Sequence, residues 1–233
     1  MKAEMSADKK RAKQIDTSKS AMVIEDEQRN DKRALSQKRH LVLLAQNQKG
    51  LENIYEMVSK SYTGDYFYRK PRIDWAMLKK HSEGVIVLTA CLGGIGAACM
   101  WENQEAGEDV IVKSMADSFA KFKDTFGDRF YAELQWNNIP EQHLLNRCLI
   151  KVAKQLELKL VSTCDSHYPR PDAWKDREVY KRLGWLGKMP EWMDENIPSS
   201  VDEIGYELYP KNAHEMWESY KRYSNDLNID YDD

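Results

Sequence analysis

Four short apolar runs, each set apart from the next by helix-like sequence, constrain this chain most. They lie at residues 40–45, 84–90, 130–135 and 158–163. Each is too short for a core helix; the second reads as a buried strand, and the third alternates, with Phe130, Ala132 and Leu134 on one side and Tyr131, Glu133 and Gln135 on the other. The first, His40-Leu41-Val42-Leu43-Leu44-Ala45, reads as a strand buried on both faces. Between the runs the apolar spacing changes to three and four. Residues 47–61 place Leu51, Ile54, Tyr55 and Val58 on one helical face. Residues 73–81 suit a short helix closed by Gly84. Helices are also expected over 95–103, over 108–126 with Val110, Ile111, Met115, Phe119, Phe122 and Phe126, and from Pro140 through Leu156. Strand and helix thus alternate at least four times. That pattern predicts an α/β fold with a mainly parallel sheet, wrapped toward a barrel by its crossovers. Further helices are expected at 174–183 and 213–223, with Met216, Trp217 and Tyr220 on one face of the second.

In such folds chemistry gathers where strands end in loops. The fourth run ends in Thr163-Cys164-Asp165-Ser166-His167-Tyr168, an Asp-x-His pair just past a strand. Two residues apart in extended chain, both side chains can face one ion. The same pattern also fits a capped turn. Cys91 follows the second run and His40 borders the first, which completes a Cys/His/Asp/His set. Those ligand types suit zinc, or manganese or iron with added oxygen ligands. Taken singly, Cys91 reads as a small core residue and His40 as a satisfied boundary histidine. His81, His143 and His214 read as surface residues on polar helix faces.

With 233 residues the chain can bury a sizeable core. A net charge of −3 carries no broad basic excess, so any nucleic-acid contact would be local. The four cysteines (Cys91, Cys99, Cys148 and Cys164) form no CxxC pair, which argues against a zinc ribbon. No apolar run is long enough to span a bilayer, and no secretory signal is legible, so a cytoplasmic setting with reduced thiols is expected. Residues 1–38 are charged, with Ala21-Met22-Val23-Ile24 the one apolar cluster, and read as a leader that is disordered or helical. Residues 184–233 read as a loop-rich and helical extension, with Trp185 and Trp192 exposed.

Several of these segments, in this order, resemble one known family. They are Arg39-His40-Leu41-Val42-Leu43-Leu44-Ala45-Gln46-Asn47, Tyr66-Phe67-Tyr68-Arg69-Lys70-Pro71-Arg72-Ile73-Asp74, and Ser82-Glu83-Gly84 through Cys91-Leu92-Gly93-Gly94. Glu133-Leu134-Gln135 with Ile139-Pro140-Glu141-Gln142, and Thr163 through Tyr168, complete the set. Together they resemble the PHP (polymerase and histidinol phosphatase) domain of bacterial-type replicative DNA polymerase III alpha subunits. Leu208-Tyr209-Pro210-Lys211 and Met216-Trp217 resemble the stretch leading out of that domain.

The resemblance implies a distorted (β/α)7 barrel, of which residues 39–183 would form a part. It implies metal-ligand roles for His40, Cys91, Asp165 and His167, with zinc or manganese as the divalent ion. Glu133 and Gln135 match a family block without an assigned role. It implies 3′–5′ exonuclease chemistry in some members and a scaffolding role in others. The His-x-His strand, the Asp-His pair and the glutamate that open the family's site have no counterpart here, nor has a polymerase palm. The expected partners are therefore the remaining polymerase III alpha segments or chains, and DNA through the complete polymerase, with no membrane. The setting is a bacterial cell or a virus-infected bacterial host. A stand-alone phosphoesterase similar to histidinol phosphatase and a metal-free interaction module are the alternatives.

Overall fold

The computed structural model describes residues 38–68, 70–185, 197–200, 203 and 206–227. The expectations for the leader, for Trp192 and for the final residues lie outside these. Among the described residues six strands and seven α-helices follow one another: β1 (Val42–Ala45), α1 (Gln48–Ser61), β2 (Phe67–Tyr68), β3 (Lys70–Pro71), α2 (Trp75–Lys80), β4 (Val85–Leu88), α3 (Ile95–Glu102), α4 (Glu108–Phe126), β5 (Phe130–Leu134), α5 (Pro140–Leu156), β6 (Lys159–Ser162), α6 (Trp174–Gly184) and α7 (Ala213–Leu227).

The main sheet has the order β1-β4-β5-β6. β4 pairs with β5, and β5 with β6, in parallel. β1 runs antiparallel to β4, with Val42 opposite Leu88 and Ala45 opposite Val85. β2 and β3 form a small separate hairpin. This is the expected α/β class, with an antiparallel strand at one edge.

That edge position corrects the reading of the first strand. β1 has a neighbour on one side among the described residues, and Leu44 is 49% exposed. A short run of Leu and Val fits an edge strand with one covered face as well as it fits a central strand. β6 is likewise an edge, with Leu160 exposed. The buried strands are β4 and β5.

Aromatic packing between α4 and the sheet builds the core. Phe119 and Phe122 lie against Phe130 of β5 with ring centres 5.3 and 5.2 Å apart, and Trp75 of α2 meets Phe122 at 4.8 Å. Each fully buried ring contributes about 2–3 kcal/mol through desolvation alone. The expected α4 face holds except at Val110, which is exposed at the start of the helix. Gly127, at φ 55°, ends α4 in a conformation that a β-carbon disfavours. Pro140 opens α5, where a missing N–H costs nothing.

Two helix readings need correction. α1 buries Gly50, Asn53, Met57 and Ser61, while Tyr55 and Val58 face solvent. A polar anchor rotates the helix away from its most apolar stripe: the Asn53 side-chain amide donates to the Glu83 carbonyl at 2.8 Å. Gly50 sits so close to Gly84 that a β-carbon would lie 1.8 Å from the Gly84 oxygen. Gly84 does not close α2, whose last turn ends at His81. Its φ of 68° instead turns the chain into β4.

His81 is buried at 4% exposure, not a surface residue. Its ring lies between Glu56 and Lys60 of α1. In α7 the covered face is Ser219 and Tyr223 with Met216 and Tyr220 packed beside them, whereas Trp217 is more than half exposed. A second, smaller apolar cluster joins Tyr168, Ala173, Trp174 and Leu208. Among the described residues no helix is long and apolar enough to cross a membrane.

Candidate functional site

Strand direction brings the candidate residues to one edge. β4, β5 and β6 run parallel, so Cys91, Gln135 and Asp165, each just beyond its strand, emerge at the same end of the sheet. β1 is antiparallel, so its beginning, not its end, lies there. His40 therefore reaches that end as well, where it forms a parallel bridge with Gly94 and its N–H donates to the Gly93 carbonyl at 2.8 Å.

The loop after β4 is shaped for this approach. Ala90 adopts a φ of 63°, which costs a non-glycine residue about 1 kcal/mol and turns the chain sharply out of the strand. Its N–H is held at 2.8 Å by Oε2 of Glu133. Gly93 leaves space for the imidazole of His40, since a β-carbon there would lie 2.9 Å from Nδ1. Gly94 passes so near the Thr89 carbonyl that a β-carbon would sit 2.0 Å away.

Four side chains then meet in sequence. His40 Nδ1 lies 3.4 Å from Cys91 Sγ. The Asp165 carboxylate lies near enough to Cys91 for its charge to act on the thiol. Asp165 Oδ2 is 3.4 Å from His167 Nε2. Burial pushes the Cys91 thiol above its ordinary value, and the negative charge of Asp165 pushes the same way against the Gly93 N–H, which favours the thiolate. Cys91 is thus a neutral thiol near pH 7. His40 and His167 are exposed, while Cys91 and Asp165 are half-buried.

The structure brings all four expected residues together, as a chain of pairs. Among the described residues no three His, Cys, Asp or Glu side chains are arranged so that they could hold one metal ion. The donor types suit a zinc-like ion, but as placed they satisfy one another and do not surround a common point.

Beneath them lies a polar layer whose role was not legible in the sequence. Glu133 is buried at 4% exposure. Besides Ala90 it accepts from the Thr163 hydroxyl and, at 3.4 Å, from the Gln135 amide. The Thr89 hydroxyl accepts from the Glu133 N–H at 2.9 Å. One carboxylate thus ties the ends of β4, β5 and β6 together directly under Cys91 and Asp165. A lone glutamate inside an apolar five-residue strand was the available signal, because a buried carboxylate needs partners.

The Asp165–His167 loop is fixed from outside the sheet. The N–H groups of His167 and Tyr168 donate to the Leu208 carbonyl at 2.8 and 3.2 Å, and the Leu208 N–H returns a bond to the Tyr168 hydroxyl at 3.0 Å. Residues 206–208 thus act as a strap whose role the sequence did not reveal.

An α/β sheet with ligand-type side chains gathered at the ends of its parallel strands defines a class. The family profile described as "PHP domain" matches residues 4–137, more than half of the sequence, and the chain belongs to that family. Its fold is therefore of the (β/α) barrel type, and the open sheet described above is a part of it. The match includes most of the charged N-terminal stretch, His40, Cys91 and Glu133, and ends before Asp165 and His167.

Within the family the chain is homologous to DNA polymerase III subunit alpha. It is 44% identical to that protein of Aquifex aeolicus (strain VF5) over 167 residues, which is 72% of this chain and 14% of the relative. It is 33% identical to that of Borreliella burgdorferi over 78% of this chain and 15% of the relative. For Thermus aquaticus the identity is 34% over 60% of this chain and 11% of the relative. The chain thus spans about one seventh of the length of the first two relatives.

Proposed function

We propose that this chain is a component of a DNA polymerase III alpha subunit and acts in DNA replication in the bacterial cytoplasm. In this reading its PHP portion scaffolds the polymerase and contributes half of a metal-dependent site. The observation that carries the proposal is the meeting of His40, Cys91, Asp165 and His167 at one sheet end, in a chain 44% identical to such a subunit.

Physical chemistry limits what this half-site does alone. Hydrolysis of a phosphodiester by two metals requires ions that clamp both the attacking and the leaving oxygen. Two imidazoles, one carboxylate and one thiol hold at most one ion, and only after the pairs between them open. Exonuclease chemistry therefore needs further ligands from the remaining polymerase segments or chains. When bound, a divalent ion of the zinc or manganese kind would supply Lewis acidity. The role of this chain is to present the four donors and to fix two of them from below through Glu133.

The test is the metal content of the purified chain, wild type against Asp165→Ala with His167→Ala, measured by elemental mass spectrometry. A stoichiometric divalent metal that the double variant lacks is the expected result. Equal metal content in both would sink the half-site by placing the ion elsewhere, and none in either would sink it and leave a metal-free scaffold.

A further inference from the structure

The strap at residues 206–208 is held from two sides. Toward the site, the Tyr168 hydroxyl accepts from the Leu208 N–H at 3.0 Å and donates to the Tyr206 carbonyl at 3.3 Å, beside the bonds from His167 and Tyr168 to the Leu208 carbonyl. Away from the site, α7 and Lys211 grip the Glu207 carboxylate. One oxygen accepts from the Tyr223 hydroxyl at 2.7 Å and from Arg222 at 3.0 Å. The other accepts from Lys211 Nζ at 2.8 Å and from the Ser219 hydroxyl at 3.4 Å. Two of these donors are cations, so the grip is charge-assisted. A second arm leaves Glu207 through its backbone N–H, which donates to Asn137 Oδ1 at 3.2 Å. A buried file of amides continues from Asn137 to Gln142 at 3.4 Å, to Asn146 at 3.0 Å and to the Gln135 carbonyl at 2.9 Å. That file ends beside Glu133, the carboxylate under Cys91 and Asp165. The ring of Tyr220 on α7 also leans on Trp136 at 5.6 Å, and Trp136 donates to the Ser162 hydroxyl at the end of β6.

We propose that α7 is a latch on the half-site. While Tyr223 and Arg222 hold Glu207, the strap fixes the Asp165–His167 loop; when α7 lifts, the loop and its two ligand-type side chains are released together. Among the described residues no hydrogen bond or ion pair joins Tyr223 or Arg222 to that loop, so their hold on it passes through Glu207. The apolar cluster beside the loop is small, so the bonds of the strap are a large share of what fixes it. The name half-site rests on the function proposed above, whereas the latch stands on the contacts of Glu207.

Amide exchange of the full chain, resolved at His167 and Tyr168 by NMR, tests this in the wild type, in Glu207→Gln and in Tyr223→Phe. The first substitution removes the charge that the cations grip, and the second removes one donor on α7. Both amides should exchange about tenfold faster in Glu207→Gln and about threefold faster in Tyr223→Phe, the worth of a charged and of a single lost bond. The amides of Phe130 to Leu134 should keep their wild-type rates, which shows an intact fold. Wild-type rates at His167 and Tyr168 in either variant would overturn the proposal. Acceleration that extends equally to Phe130 to Leu134 would overturn it as well, because the whole fold would then have loosened. Acceleration confined to the loop supports the latch whatever the metal content of the chain, so failure of the half-site and failure of the latch are read separately.

Discussion

Single residues in this chain matter mainly through what they hold. Glu133 draws three strand ends together, and Ala90 takes a left-handed conformation so that Cys91 can face His40 and Asp165. His81 shows the cost of a buried titratable group most directly. Burial is the largest influence and lowers its pKa; Lys60, Lys80 and Lys49 act in the same sense, and Glu56 opposes them. The folded value therefore lies below the unfolded value of about 6.5. Above pH 6.5 both states hold a neutral ring, and the contribution of His81 is complete. As the pH falls from 6.5 toward the folded value, the unfolded chain binds the proton and the folded chain resists it, so stability declines. The free energy of urea unfolding should fall more steeply between pH 7 and 5.5 in the wild type than in His81→Gln. Parallel slopes would show that His81 is not the responsible group.

Among the elements, α1 was legible in extent and wrong in orientation. Its bounds follow from Asn47, whose side chain accepts from the Gly50 N–H at 3.0 Å, and from the apolar spacing after it. Which face turns inward was decided by Asn53 and Gly50, neither of which is hydrophobic. Gly50→Ala should therefore cost at least about 2–3 kcal/mol, because backbone at Gly84 cannot yield as a side chain would. Equilibrium unfolding in urea reads this, and a loss under about 0.5 kcal/mol would mean that α1 shifts freely. By contrast α4 followed its periodicity closely, since one wide stripe of phenylalanines leaves no competing face.

At the scale of the molecule two apolar clusters of unequal size divide the described residues. The larger is built on β4, β5, α4 and α5, and the smaller on Tyr168, Ala173, Trp174 and Leu208. The Asp165–His167 loop hangs from the smaller one by its bonds to Leu208. Fewer buried contacts mean a lower free energy of opening. Native-state exchange should find the His167 and Tyr168 amides opening below the global unfolding energy, well before those of Phe130 to Leu134. Equal opening energies would make the two clusters one cooperative unit.

Much of this was set by sequence alone. Alternating runs of apolar residues determine the α/β class, and the ordered blocks from Arg39 to Tyr168 carry the family and its four ligand-type residues. Those signals survive because period and order are local properties, readable along the chain. The sequence could not reveal that β1 runs antiparallel at an edge, nor that its start thereby brings His40 beside Cys91. It also left open the burial of His81, the rotation of α1 and the hold of Glu133 on three strand ends. Each of these depends on a partner 20 or more residues away, and only tertiary packing selects that partner.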